Sequence, residues 1–391
     1  PFFLCVYFAL LLRRMRSASR LRLLKSLGGG KEDKAVGGGS LGSSSFVFFR
    51  RQTTPFKGFL SRSLRTTSNA RDDDDENPLR RRGAHEEEGV VVGLEIHLQL
   101  TSLKTKLFSP GSVLRVDGGS ASGSPVVHAF DRAEPGTLPS PVNEAAVQCA
   151  LKLATALHAT CEKVSEFDRK HYFYGDLPHG YQITQHRKPI LTGGRINENV
   201  RVERVQLEMD TGKTLSSLSS SSSEKSSNVV DLSRAGATLL EIVTKPDIRS
   251  EEHAVETVSD VIQMARYLEI SDANMEDGSI RVDVNVSVRR RRNDPDGNDD
   301  DATTKSTSVS SERTEIKNLN SLRSIRNAIK YEKERHGRYL DGVVGAEKVE
   351  RETRSWDEKL NKTIVLRSKE SLWDYRFMRE PDVLPIVVTH E

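Results

Sequence analysis

The chain lacks most of the features that would name its chemistry at once. Its three cysteines, Cys5, Cys149 and Cys161, stand alone. Isolated thiols point to reduced cysteine without a disulfide framework, and the absence of any CxxC pair argues against a thiolate zinc site. There is no P-loop and no Rossmann glycine pattern, so a nucleotide would have to be held by other means. The apolar run 2–12 is too short to span a bilayer, and its arginines follow it where a secretory signal carries them before. A formal net charge of +3 over 391 residues is too small to argue by itself for a nucleic-acid partner.

What is there begins with two stretches built on one plan. In Leu94-Glu95-Ile96-His97-Leu98-Gln99-Leu100 every second residue is aliphatic, with Glu, His and Gln between. Ile280-Arg281-Val282-Asp283-Val284-Asn285-Val286-Ser287-Val288 repeats the pattern with Arg, Asp, Asn and Ser. Strand side chains alternate between faces, so each stretch has one apolar face and one ionisable face. One reading is a half-buried sheet whose polar face meets water. The other is a pair of walls around a polar active site. Solvated strands favour Thr, Lys and Glu, whereas Glu-His-Gln and Arg-Asp-Asn are ligand, acid/base and anion-binding sets, which favours the second.

Composition divides the chain into a leader and one large domain. Residues 1–70 read as a presequence, 71–88 as a charged linker with an acidic run at 72–76, and 89–391 as a domain large enough for a substantial core. From Met15 the leader carries Arg16, Arg20, Arg22, Arg50, Arg51, Arg62 and Arg65 with many serines and few acids. That is the make-up of an organelle transit peptide, with the mitochondrion (matrix) as first destination and the plastid stroma as second. A disordered basic tail is the bland alternative.

Within the domain, Asn143 caps an expected helix with Val147, Ala150, Leu151, Ala154 and Leu157 at helical spacing. A second helix starts at Ser250 with Ala254, Val258, Ile262, Ala265 and Leu268, and a third spans 321–335 with Leu322, Ile325 and Ile329 buried. Strand-like pieces lie near 200–208, 239–244, 280–288 and 363–367. Strands and helices mixed without a βαβ rhythm predict an α+β fold, largely antiparallel sheet with flanking helices. The low-complexity segments 216–228 and 289–313 fall between strand-like pieces and read as insertions in hairpin loops. The basic run 289–292 is either an RNA-phosphate contact or a solvated charge cluster.

Three groups of residues carry chemistry. Glu95, His97, Glu208, Asp210 and Glu241 form a carboxylate and imidazole set. Glu241 interrupts an aliphatic strand, which is costly unless it binds a cation or pairs with a buried arginine. Oxygen ligands with one His suit Mg²⁺ sharing its sphere with phosphates. The aromatic and polar segment 167–182 reads as a loop presenting Lys170, Asp176 and Gln182 over packed aromatics. Arg281, Lys317, Arg367, Lys369 and Arg376 are cations able to clamp phosphate oxygens. On the residues alone this is an Mg²⁺-dependent enzyme acting on a phosphorylated substrate.

Longer motifs then carry a resemblance. Val92-Gly93-Leu94-Glu95-Ile96-His97-Leu98-Gln99-Leu100, the segments 167–185 and 233–247, and Asn274-Met275-Glu276-Asp277-Gly278-Ser279 through Val288 resemble the B subunit of the tRNA-dependent amidotransferases. So do Glu315-Ile316-Lys317-Asn318-Leu319-Asn320-Ser321, Glu352-Thr353-Arg354, Arg367-Ser368-Lys369-Glu370 and Asp374-Tyr375-Arg376. The match is collinear over roughly 90–387. The resemblance implies a cradle-shaped catalytic domain that uses ATP and Mg²⁺ to phosphorylate the glutamyl carboxylate of misacylated Glu-tRNA(Gln). Ammonia comes from glutamine through a partner amidase A subunit, and a small C subunit completes the complex. By match to the family's motifs, the resemblance implies His97, Glu208 and Glu241 as metal ligands with Glu95 close by. With that chemistry, Glu95, His97, Lys170, Asp176, Arg281 and Asp283 are expected to be catalytic, and Lys317, Arg367, Lys369 and Arg376 to bind ATP or phosphate. No membrane association is expected.

The chain departs from the family pattern at several positions. Gly175 and Thr238 replace a usual Pro, Lys245 a usual Glu, and Gln206 and Met209 stand where His and Glu are common. The family's helical and tail domains, which help grip tRNA, are expected to be absent. A non-catalytic scaffold that keeps only the partner-binding surfaces is the rival from another class. A generic ATP-grasp-like ligase is a third reading and lacks the glycine-rich phosphate loop. Nothing resembles a Ser-Lys amidase centre, so the chain alone is expected not to hydrolyse glutamine.

Overall fold

The computed structural model describes residues 89–113, 123–215, 229–292, 307–367 and 376–389. The presequence, the linker, the insertion 216–228 and Lys369 lie outside them. In chain order the strands are β1 (Gly89–Gln99), β2 (Thr160–Cys161), β3 (Val164–His171), β4 (Tyr181–Lys188), β5 (Leu191–Thr192) and β6 (Val202–Met209). They continue with β7 (Lys213–Leu215), β8 (Val229–Asp231), β9 (Thr238–Thr244), β10 (Ile280–Arg292), β11 (Thr307–Ser310) and β12 (Thr314–Leu319). The last are β13 (Glu352–Asp357), β14 (Lys362–Arg367), β15 (Arg376–Arg379) and β16 (Ile386–Val387). The helices are α1 (Glu144–Leu157), α2 (Glu251–Tyr267) and α3 (Leu322–Leu340).

One large sheet runs in the order β14-β13-β12-β10-β1-β9-β6-β5-β2, with β11 extending β10. Its pairs are antiparallel except β12 with β13. The fold is α+β, as the sequence predicts. The apolar faces of β1 and β10 are fully buried: Leu94, Ile96, Leu98, Val282, Val284 and Val286 are 0–1% exposed. They share one core with Ala150 and Leu153 of α1, Val258 and Val261 of α2, and Ile325 and Ile329 of α3. Each helix starts where a side-chain oxygen satisfies an orphan amide: Asn143 accepts from Ala145 N, Ser250 from His253 N and Ser321 from Ser324 N.

A smaller sheet forms around β3, which pairs with β4 on one edge and with β15 and β16 on the other. This corrects the reading of 167–182 as a loop. Phe167 to His171 complete β3 and Tyr181 opens β4, so Lys170 and Gln182 stand opposite each other on paired strands. Alternation is hidden there because β3 buries Phe167 and Asp168 in succession.

Two further differences have physical causes. Helix α3 extends to Leu340, beyond the expected 335, because its second half buries Glu332, Arg335 and His336 in an ionic network that apolar spacing does not reveal. The ends of the segment 289–313 are strand: Arg289–Arg292 pair with Thr307–Ser310 as a hairpin, while 293–306 lie outside the described residues. β7 and β8 likewise pair across 216–228. Among the described residues, no helix is long and apolar enough to cross a membrane.

Candidate functional site

The polar face of the large sheet is assembled by register. His97 on β1 stands opposite Arg281 on β10 and opposite Glu241 on β9, and Glu241 stands opposite Gln206 on β6. One step along, Glu95 faces Asp283. Residues at one register position point to one face, so the two alternating stretches share a wall with β9 and β6. That wall is buried toward β9 and β6 and at Asp283, where Gln206, Glu208, Glu241 and Asp283 are 2–6% exposed, while Glu95, His97 and Arg281 are half-buried. β4 covers its β6 end, with Gln182 and Thr184 bonded to Glu208 and Gln206.

His97, Glu208 and Glu241 come together there, with ligand atoms within 4.8 Å of one another. These are the three residues singled out for a metal. Gln182 Nε2 donates to Glu208 Oε1 at 3.2 Å, while Glu208 Oε2 is buried and has no hydrogen-bond partner. Burial holds the Glu208 carboxyl above the usual range, and nearby Glu241 adds to this against the pull of Lys170. Glu241 does not take the alternative of a buried arginine. Among the described residues it makes no ion pair, and Gln206 Nε2 donates to its Oε2 at 2.6 Å. The donor set fits a small hard cation: one imidazole and two carboxylates, one of which offers an orphaned buried oxygen.

A second cluster adjoins the first. Glu95, Asp283 and Glu315 also lie within 4.8 Å of one another, but a cation already serves two of them. Lys317 Nζ is 3.0 Å from Asp283 Oδ2 and 2.8 Å from Glu315 Oε1. Asn318 N donates to Asp283 Oδ1 at 2.9 Å from a bulge where Asn318 adopts φ +60°. Burial alone would raise the Asp283 pKa, but Lys317, His97 and the Asn318 amide outweigh it and keep it low. The two carboxylates likewise outweigh burial at Lys317 and raise its pKa, so its ammonium is fixed.

The remaining predicted residues divide. Arg281 Nη2 donates to Asp210 Oδ2 at 2.8 Å, and Arg234 approaches the same oxygen at 3.2 Å. Lys170 lies close enough to Glu208 to draw its pKa down. Asp176 sits in the β3–β4 loop and lines a small cavity with Asp210 and His179, apart from the triad. Arg376 is exposed on β15 opposite His171, in the smaller sheet, and Arg367 ends β14 at the edge of the large one. Sequence reasoning does not single out Thr184 or the carboxylate of Glu315. Neither residue breaks an apolar pattern, and only the pairing of β4 over β6 and of β12 beside β10 brings them in.

A family model described as the GatB/GatE catalytic domain matches residues 90–391. The chain belongs to this family. It is 49% identical over 318 residues to the chloroplastic/mitochondrial glutamyl-tRNA(Gln) amidotransferase B subunit of Ostreococcus tauri, covering 76% of this chain and 55% of that one. It is 48% identical over 311 residues to the chloroplastic/mitochondrial B-2 subunit of the same amidotransferase from Micromonas commoda, at 78% and 53% coverage. It is 43% identical over 306 residues to the aspartyl/glutamyl-tRNA(Asn/Gln) amidotransferase B subunit of the Wolbachia of Brugia malayi, at 77% and 58%. The chain spans about half the length of the curated relatives it matches.

Proposed function

We propose that this family member is the carboxylate-activating part of the B component of a tRNA-dependent amidotransferase. Its substrate is misacylated Glu-tRNA(Gln), and its partners are an amidase A subunit that releases ammonia from glutamine and a small C subunit. A glutamyl side-chain oxygen attacks the γ-phosphorus of ATP and ADP departs. Ammonia then attacks the activated acyl carbon, phosphate leaves with the bonding pair, and the nitrogen loses a proton to give Gln-tRNA(Gln). The observation that carries the reading is Glu208 Oε2, a buried and unpartnered oxygen in a triad with His97 and Glu241. These three residues are the ones to hold Mg²⁺. When bound, Mg²⁺ supplies positive charge to the phosphate oxygens. Asp283 fixes the ammonium of Lys317 beside the triad, where it faces phosphate at no further cost in reorganisation. Arg281, held by Asp210, adds a second fixed cation.

The test is ADP formation by the full-length protein joined to its A and C partners. ADP release should require Glu-tRNA(Gln) and should match Gln-tRNA(Gln) formed when glutamine is present. A complex that hydrolyses glutamine yet shows no ADP release dependent on Glu-tRNA(Gln) would overturn the reading in favour of a scaffold.

We place the protein in an organelle, the mitochondrial matrix before the plastid stroma. The transit-like composition of 1–70 supports this, as do the chloroplastic/mitochondrial names of relatives from Ostreococcus and Micromonas. Residues 15–88 fused to a fluorescent protein should direct it to mitochondria, read by microscopy. Diffuse cytosolic fluorescence would rule the placement out.

A further inference from the structure

Each of the two buried carboxylates in the triad is held at one oxygen by a glutamine amide, and both amides are locked in orientation. Gln206 Oε1 accepts from Arg204 Nε at 3.2 Å, while its Nε2 donates to Thr184 Oγ1 at 3.1 Å and to Glu241 Oε2 at 2.6 Å. A guanidinium only donates and a carboxylate only accepts, so a flipped amide would set like against like at both ends. Gln182 repeats the arrangement: its Oε1 accepts from the Tyr172 hydroxyl, and its Nε2 donates to Glu208 Oε1 at 3.2 Å and to Met209 O at 2.9 Å. Both glutamines are buried, at 4% and 5% exposure.

We propose that Gln206 and Gln182 are positioning residues for the cation site of His97, Glu208 and Glu241. Each ties down one carboxylate oxygen and leaves the other to a cation. The inference rests on the metal-dependent reading above and extends it to residues that touch no cation themselves. Partners of this kind fix the orientation of ligand side chains, and their loss weakens metal binding without removing a ligand. Glu208 Oε2 shows the consequence directly, as the oxygen left over when Gln182 has engaged Oε1. A histidine at position 206 would also carry a ring N–H able to donate to Glu241, which makes Gln206→His the conservative variant.

Mn²⁺ is the probe, since it shares the oxygen-ligand preference of Mg²⁺, accepts an imidazole nitrogen beside the oxygens, and is read by electron paramagnetic resonance. Binding is measured on the full-length protein in its complex, without nucleotide, with Mg²⁺ as competitor. The wild type should hold Mn²⁺ at a site that His97→Ala removes. Gln206→Met and Gln182→Met should each weaken that site by about ten- to a hundredfold, in a metal-free protein that still unfolds cooperatively at a lowered melting temperature. Gln206→His should restore most of the affinity. If either Met variant fails to fold, the other carries the test. Wild-type affinity in a folded Met variant, with binding still lost in His97→Ala, would overturn the positioning role and leave the metal site standing. Absence of any Mn²⁺ site sensitive to His97→Ala would overturn both.

Discussion

Under the function proposed above, His97→Ala and Glu241→Ala are expected to lower ATP-dependent amidation of Glu-tRNA(Gln), in a complex completed with the A and C subunits, by about a hundredfold or more. The register places both side chains on one polar face with Glu208, where the two carboxylates are buried and His97 is half-buried. Loss of a group that holds charge against the transferring phosphate removes transition-state stabilisation of about 3 kcal/mol or more. Glutamine hydrolysis, assigned to the amidase partner, should continue. The opposite face of the same strands supplies the control. Ile96 and Val284 are fully buried, so Ile96→Val should destabilise by about 1 kcal/mol and Val284→Ala by about 2 kcal/mol with amidation nearly intact. Amidation assays beside thermal unfolding of the four variants separate the faces. Near-normal amidation by both polar-face variants would return these strands to a purely structural role.

Most of this site was legible because it is written in the period of a strand. Glu95, His97, Arg281 and Asp283 alternate with aliphatic residues, and Glu241 breaks an aliphatic run, so each announces its face without knowledge of its neighbours. The pairing partner is what alternation cannot supply. That His97 meets Glu241 and that Gln206 meets Glu241 follow from the order β10-β1-β9-β6, in which β1 and β9 are about 140 residues apart. The same limit hid the role of Gln182, whose strand belongs to another sheet and reaches Glu208 through tertiary packing. Helix positions were readable from capping residues, but the faces rotate slightly from expectation. In α1 the buried set includes Ala146, Cys149 and Leu153, while Val147 and Leu151 are half-buried. The widest gap lies in the second half of α3, where Glu332, Arg335 and His336 are buried in place of apolar residues.

Glu332→Gln is expected to destabilise the protein by about 3 kcal/mol at neutral pH, and the loss should fade in acid. Glu332 lies on α3 with no solvent exposure. Arg335 Nη2 is 2.7 Å and His336 Nε2 3.0 Å from its Oε2, while the Thr363 hydroxyl of β14 donates to its Oε1 and Arg354 of β13 stands 3.6 Å away. Arg335 and His336 also reach Thr314 of β12 at 3.0 Å, so the carboxylate ties the helix to two strands and, through these two side chains, to a third. Burial opposes its charge, but these donors outweigh burial and hold its pKa down to about 2, against an ordinary value of 4.5. A depressed carboxylate pKa adds stability that is complete above the unfolded value and disappears as pH falls through the folded one. The shift corresponds to about 3 kcal/mol at pH 7, about 1 kcal/mol at pH 3, and almost nothing below about pH 2. Glutamine keeps the shape but removes the charge, leaving Arg335 and Arg354 buried with less to balance them. Urea unfolding of wild type and variant from pH 7 downward reads the difference. A gap between the two proteins that stays constant from pH 7 to pH 3 would mean that the Glu332 charge does not hold the helix to the sheet.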